Sequence, residues 1–265
     1  MEVNVAQNIY NKAYNMLVNY ARAQGIDEPN LQKYFQPQNN MSFMERAAES
    51  LQNSGHMRNS IKFKENRATI KEVLCDYNVG KISATYEKWQ DIYKEFLDKG
   101  IDDNTKKENG GNWRKYSRGV YEMACFLETY EDDLRSICQK GKYDDKIFQF
   151  LKKLKNEVYG IGIALACDFL KECGCVCLVK PDIHIIKIYN EIFGKKIPDA
   201  PTDNKAEEVI KSMARMAEEI GETPYKLDKI FWLICTGEFY LHPKKYGREL
   251  LLEEIKNITK SCVVS

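Results

Sequence analysis

Residues 157–170 read EVYGIGIALACDFL, and the two glycines in that stretch decide how the chain is read. A glycine inside a helix costs about 1 kcal/mol relative to alanine, yet Gly160 and Gly162 stand in G-x-G spacing between two apolar runs of helical period. Ile147, Leu151, Leu154 and Val158 precede them, and Ile163, Ala166, Leu170 and Cys173 follow, each set at i, i+3/i+4 spacing. The pattern predicts helix, short glycine hairpin, helix. Locally, two glycines supply the positive φ that a tight turn demands. A second consequence is electrostatic: the second helix starts just after Gly162, so its unpaired N–H groups and the positive end of its dipole point outward with no Cβ in the way. Such a corner binds a phosphate without any basic side chain.

Helical periodicity continues along the chain. Ala6, Ile9, Ala13 and Leu17 form one stripe, Val120, Met123, Ala124 and Leu127 another, and Ala206, Val209, Met213, Met216 and Ile220 a third, closed by Gly221. The aromatic-rich stretch 227–240 has the spacing of a buried helix. CVCLVKPDIHIIKIY (175–189) is β-branched enough to read as a strand, but Pro181, Gly194 and the spacing of Ile185, Tyr189 and Ile192 favour a helix over 181–193. Loops are expected at 29–40, 102–112, after Gly174 and at 195–203. The expected fold is all-α, about ten helices.

Composition narrows the function classes. The 265 residues carry 40 Lys+Arg against 39 Asp+Glu, a net charge of +1, so attraction of the whole molecule to polyanions is feeble and any nucleic-acid surface is local. Basic patches occur at RNSIKFKENR (58–67), WRKYSR (113–118) and HPKKYGR (242–248), each of which also reads as a solvated face. No apolar run approaches the roughly 20 residues that span a bilayer, and the N-terminus lacks the basic start and apolar block of a signal peptide. Nine cysteines scattered through apolar stretches fit a reducing compartment. A soluble, cytoplasmic protein with no membrane partner is expected. Cys167, Cys173, Cys175 and Cys177 match neither zinc nor ferredoxin spacing, so no metal site is expected there.

Asp182 lies twenty residues after Gly162, within KPDIHI (180–185). At this point the chain resembles the helix-hairpin-helix DNA glycosylases, the superfamily that includes endonuclease III and adenine glycosylase. In that family an apolar-Pro-Gly-apolar-Gly hairpin is followed about twenty residues on by an aspartate in a V-D-T-H-V-like segment. Here the stretches read VYGIG and KPDIHI: Tyr159 replaces the usual proline, Pro181 precedes the aspartate, and both glycines, Asp182 and His184 are in place. The resemblance covers roughly residues 41–195. It implies two helical lobes with a cleft between them. One is a barrel of about 41–178 ending in the hairpin; the other combines 1–40 with 179–265 and carries Asp182 at the cleft.

The same resemblance implies excision of a damaged, mispaired or modified base from double-stranded DNA by a monomer. Tyr159, Gly160, Ile161 and Gly162 would hold the backbone. Asp182 would stabilise the oxocarbenium-like transition state as the N-glycosidic bond breaks, the nucleotide having been flipped from the duplex. His184 is read as a packing or supporting residue. FMERAAESLQNSGHM (43–57) is similar to the family's early helix, which makes Gln52 and Asn53 candidates for contacting the gap or the base; Trp113 is a third, with packing as its plainer role. Members that also cut the strand carry a lysine two residues after the second hairpin glycine, which forms a Schiff base. Ala164 stands there, so a glycosylase without lyase activity is expected, with Lys180, next to the Pro-Asp pair, as the alternative amine. The family's iron–sulfur cysteine cluster is missing; no iron–sulfur cluster and no other cofactor is expected, and a monovalent cation at the hairpin is compatible with the resemblance.

The residues read without the family leave other classes open. Asp182 is then a carboxylate complementing a helix dipole, and the chain is a non-catalytic DNA-binding or lesion-sensing module, or a helical enzyme unrelated to DNA with its hairpin buried against protein.

Overall fold

Fourteen α-helices and three short 3-10 turns, with no strand, make up the described residues of the computed structural model, which are 3–37, 40–101, 111–239 and 248–263. Most of the loop expected at 102–112 and of the 242–248 patch lies outside them. The chain divides into two units. One comprises Met1–Pro37, Lys140–Tyr143 and Cys175–Ser265, the other Gln38–Gln139 and Asp144–Gly174.

The first unit opens with α1 (Val3–Ala23), which buries Ala6, Ile9, Ala13 and Leu17 as its period predicts. Asp27 then caps α2 (Glu28–Gln32) by accepting the Asn30 N–H at 2.9 Å, with Pro29 in the first turn, where a missing N–H costs nothing. This corrects the loop expected over 29–40. Leu31, Tyr34 and Phe35 are buried, and their need for cover holds the segment in α2 and a following 3-10 turn, Lys33–Phe35.

The second unit contains α3 (Phe43–Leu51), α4 (Arg58–Ile61), α5 (Arg67–Val73), α6 (Val79–Thr85), α7 (Trp89–Asp98), α8 (Asn112–Cys138), α9 (Asp145–Glu157) and α10 (Ile163–Glu172). Its spine is α8, 27 residues long, which packs against α3, α6, α7 and α9 and buries Val120, Met123, Ala124 and Leu127. The helix count exceeds the expected ten because α2, α4, α5 and α6 have only 5, 4, 7 and 7 residues, too few to display a period.

The chain returns to the first unit with α11 (Ile183–Phe193), α12 (Asp203–Glu219), α13 (Pro224–Thr236) and α14 (Arg248–Val263), which share one core with α1. Residues 175–178 pack here: the Tyr225 N–H, in α13, donates to the Val176 carbonyl at 2.9 Å, and Cys175, Cys177 and Leu178 are fully buried. The boundary between units therefore falls at 174/175 rather than 178/179. α11 starts two residues later than the sequence suggests, because Asp182, in extended geometry, is its N-cap and Pro181 lies outside it. Gly194 ends α11 at φ 61°, and Gly221 follows α12 at φ 74°. No described helix is long and apolar enough to cross a membrane.

Candidate nucleic-acid interface and carboxylate site

The hairpin lies wholly in the second unit. α9 stops at Glu157 because Val158 leaves helical geometry. The Ile161 N–H then donates to the Val158 carbonyl at 3.3 Å and Gly160 has φ +83°, so 158–161 form a type II turn with glycine where positive φ is required. Gly162 is different. It is the N-cap of α10 with φ −97° and ψ 172°, a conformation any residue adopts, and nothing lies within 4 Å of where its Cβ would stand. The reading in which both glycines supply positive φ thus holds for Gly160 alone. No side chain caps α10, so what the missing Cβ leaves is open access to the first-turn N–H groups at the positive end of the dipole. Both glycines are exposed, whereas the Ile161 side chain is buried and anchors the turn.

Two neighbours hold the turn, and neither is visible in the sequence. The Ser54 hydroxyl donates to the Gly160 carbonyl at 2.6 Å, and a Cβ on Gly160 would come within 2.9 Å of that oxygen. From α8, Glu122 Oε2 accepts the Tyr159 N–H at 2.6 Å while Oε1 accepts from Arg118 Nε at 2.7 Å. The Arg118 guanidinium lies over the Tyr159 ring, 4.5 Å from its centroid. Gly119 permits this approach: a Cβ there would be 3.0 Å from the Tyr159 carbonyl.

Asp182 belongs to the first unit. Its Oδ1 accepts the His184 and Ile185 N–H groups at 3.0 and 3.1 Å, which caps α11, and its Oδ2 faces Lys180 Nζ at 3.9 Å. The cap therefore occupies one carboxylate oxygen, and the side chain keeps 16% of its exposure. The segment leading to it is held by a residue that sequence reasoning missed: the Lys180 N–H donates to Oδ1 of buried Asp228 on α13 at 2.7 Å. Ile183, next to Asp182, and Tyr159, in the hairpin, are two of the few exposed large apolar side chains among the described residues, with Val3 and Leu97.

The remaining candidates have structural partners. Gln52 is buried, its Oε1 accepting the Phe63 N–H at 3.1 Å, so it is committed to the fold; Asn53 beside it is exposed. Trp113 is 3% exposed and packed against Phe96 and Tyr116 at 4.8 and 5.6 Å between centroids, which corrects its candidacy as a base contact. Its place at the start of α8, facing the core, makes it an anchor. Among the described residues no group of three or more His, Cys, Asp or Glu is arranged to hold a metal. Cys175 and Cys177, with sulfurs 3.6 Å apart, are buried, and burial pushes the Cys173 thiol well above its usual range. A groove on the second unit is lined by Glu122, Cys125, Phe126, Thr129, Tyr130 and Glu157; its two carboxylates make it unsuited to a phosphate.

No family model and no curated protein sequence matches the chain. Solved structures do. The 8-oxoguanine glycosylase/lyase of Methanocaldococcus jannaschii, in complex with a 15mer DNA containing 8-oxoguanine, superposes with a TM-score of 0.51 and 17% identity, over 84% of this chain and 98% of that one. The 8-oxoguanine DNA glycosylase of Thermotoga maritima gives 0.52 and 17%, over 85% and 98%. The chain has the all-helical fold of these two glycosylases. At this identity the likeness establishes the fold alone. Within that fold Gly160, Gly162 and Asp182 occupy a hairpin and a helix cap, and Ala164 lies half-buried in the first turn of α10, where no side-chain amine is available.

Proposed function

We propose that the protein is a DNA glycosylase that removes a damaged, mispaired or modified base by hydrolysis and leaves the strand uncut. The observation that carries this reading is Gly162. Neither the turn nor the packing needs a glycine there, and its absent side chain opens an uncapped helix N-terminus to a phosphate. The hairpin amides would bind a backbone phosphate of double-stranded DNA, and Asp182 would act on the flipped nucleotide.

In that reaction the bond from C1′ to the base nitrogen breaks, the base takes the electron pair and a proton from solvent, and water oxygen bonds to C1′. The carboxylate stabilises the positive sugar and accepts the proton that water loses. Oδ2, outside the cap, is the oxygen for that task. Lys180 Nζ, 3.9 Å from Oδ2, puts a counter-charge beside the carboxylate. With Ala164 in the first turn of α10, hydrolysis rather than Schiff-base chemistry is the expected course.

Asp182→Asn is the test: base release from a screen of modified duplexes and modified viral genomes should cease while duplex binding persists. Retained release in the variant sinks the reading. Borohydride should trap no covalent adduct; an adduct lost in Lys180→Met would assign lyase chemistry to Lys180. Asp182 as a cap on α11 is what favours the non-catalytic DNA-binding reading, and binding without release on every substrate of that screen would support it.

A further inference from the structure

Tyr159 is the second residue of the type II turn, a position at which proline is favoured because its ring presets φ. A tyrosine there leaves φ free and adds an N–H. The structure disposes of both consequences through one side chain, since Glu122 takes that N–H at 2.6 Å and, through its other oxygen, the Arg118 Nε at 2.7 Å, while the guanidinium stacks on the Tyr159 ring. Gly119 brings α8 close enough for this, and Ser54 holds the next carbonyl from another element.

A carboxylate is otherwise out of place beside a phosphate grip, where it repels the ligand. Arg118 offsets that charge, and the carboxylate gains a hydrogen bond to a backbone N–H, a charge-assisted contact stronger than a neutral one.

We propose that Glu122 is a positioning residue for DNA binding: with Arg118 it clamps the Tyr159–Gly160 segment in the orientation that presents the α10 amides, doing the work a proline ring would do. The proposal rests on the DNA-binding reading of the hairpin. Glu122 touches no phosphate itself; it acts through the Tyr159 main chain. Glu122→Gln retains an acceptor and should keep most of the function, whereas Glu122→Ala removes it.

The experiment is a double-mutant cycle on the whole chain, with an undamaged 20-base-pair duplex as probe. Glu122→Ala should bind about tenfold more weakly, because losing one hydrogen bond to a charged group lowers the population of the binding-competent turn on that scale, with the thermal midpoint lowered by no more than a few degrees. Tyr159→Pro combined with Glu122→Ala should recover affinity, because the donor is gone and the ring presets φ. Hydrogen exchange of the Tyr159 amide without DNA separates the two claims. If the wild type binds no duplex the proposed function fails, yet faster exchange in Glu122→Ala still supports the clamp. Unchanged exchange, or an affinity loss as large in the Tyr159→Pro background, overturns it.

Discussion

Gly160 and Gly162 differ in why they are glycine, and substitution should separate the two reasons. At Gly160, alanine must adopt φ +83° and place its Cβ 2.9 Å from Ser54 Oγ. The strain of a left-handed alanine, about 1–2 kcal/mol, adds to a contact that only a shift of Ser54 relieves. Gly160→Ala should therefore lower the denaturant midpoint and weaken DNA binding together. At Gly162, alanine meets nothing and needs no unusual φ. Alanine is a poorer N-cap than glycine, so Gly162→Ala costs under about 1 kcal/mol, but its methyl takes up open space beside the α10 N-terminus that a bound phosphate would need. Duplex affinity should fall at least about tenfold with the fold intact, as the loss of charge-assisted contacts to the phosphate implies. Equal affinity would mean that no phosphate approaches there. The sequence shows both glycines and cannot tell them apart, because spacing carries no φ. Ser54 and Glu122 were illegible for another reason: their partners lie 106 and 37 residues away, and no local pattern records such a contact.

Among elements, α11 shows how a structural and a chemical role share one side chain. Asp182 caps the helix through Oδ1 and leaves Oδ2 outside the cap. Asparagine caps a helix as well as aspartate does, whereas alanine at this position costs about 1 kcal/mol. Asp182→Asn should then retain wild-type stability while losing base release, and Asp182→Ala should lose both; calorimetry beside a release assay distinguishes them. If Asn destabilises as much as Ala, the ionised carboxylate is supporting α11 and the catalytic assignment weakens. The elements legible in the sequence were those long enough to repeat. α1, α8, α9 and α12 bury the residues their period predicts, except that Val158 and Ile220 fall just past the ends of α9 and α12, whereas the short helices between Glu28 and Thr85 gave no period to read. Pro181 was misplaced into α11 because a proline before an N-cap and a proline in the first turn look alike until the cap's own geometry is known.

For the whole molecule, two titrations follow from its composition. Burial raises the phenol of Tyr86 to about 12 and pushes those of Tyr10, Tyr77 and Tyr116 well above the usual range, while unfolded tyrosines ionise near 10. Above pH 10 the unfolded chain holds fewer protons than the folded one, so stability is complete below pH 10 and is lost as pH climbs toward 12. Denaturant midpoints at pH 8 and 11, with phenolate absorbance, check this. The salt titration bears on function. A net charge of +1 leaves no general field to draw in DNA, and three cations of the described basic patches are paired internally: Arg67 to Glu45 at 2.6 Å, Lys62 to Glu65 at 3.4 Å and Arg118 to Glu122 at 2.7 Å. Of the other cations in those patches, Arg114 lies over the Trp89 ring, and Arg58, Lys64 and Lys115 are exposed. A grip made by backbone amides displaces few counterions, because it adds no side-chain cation to the phosphate. With about 0.9 in slope for each phosphate neutralised by Lys or Arg, those three give a slope of log affinity against log salt near −3. Duplex binding measured between 50 and 300 mM salt should show that shallow dependence, and the slope should stay the same in Gly162→Ala although affinity falls, since the donors removed are uncharged amides and no side-chain cation is lost. A slope of about −6 or steeper would place the grip on side-chain cations and remove the hairpin amides from the centre of recognition.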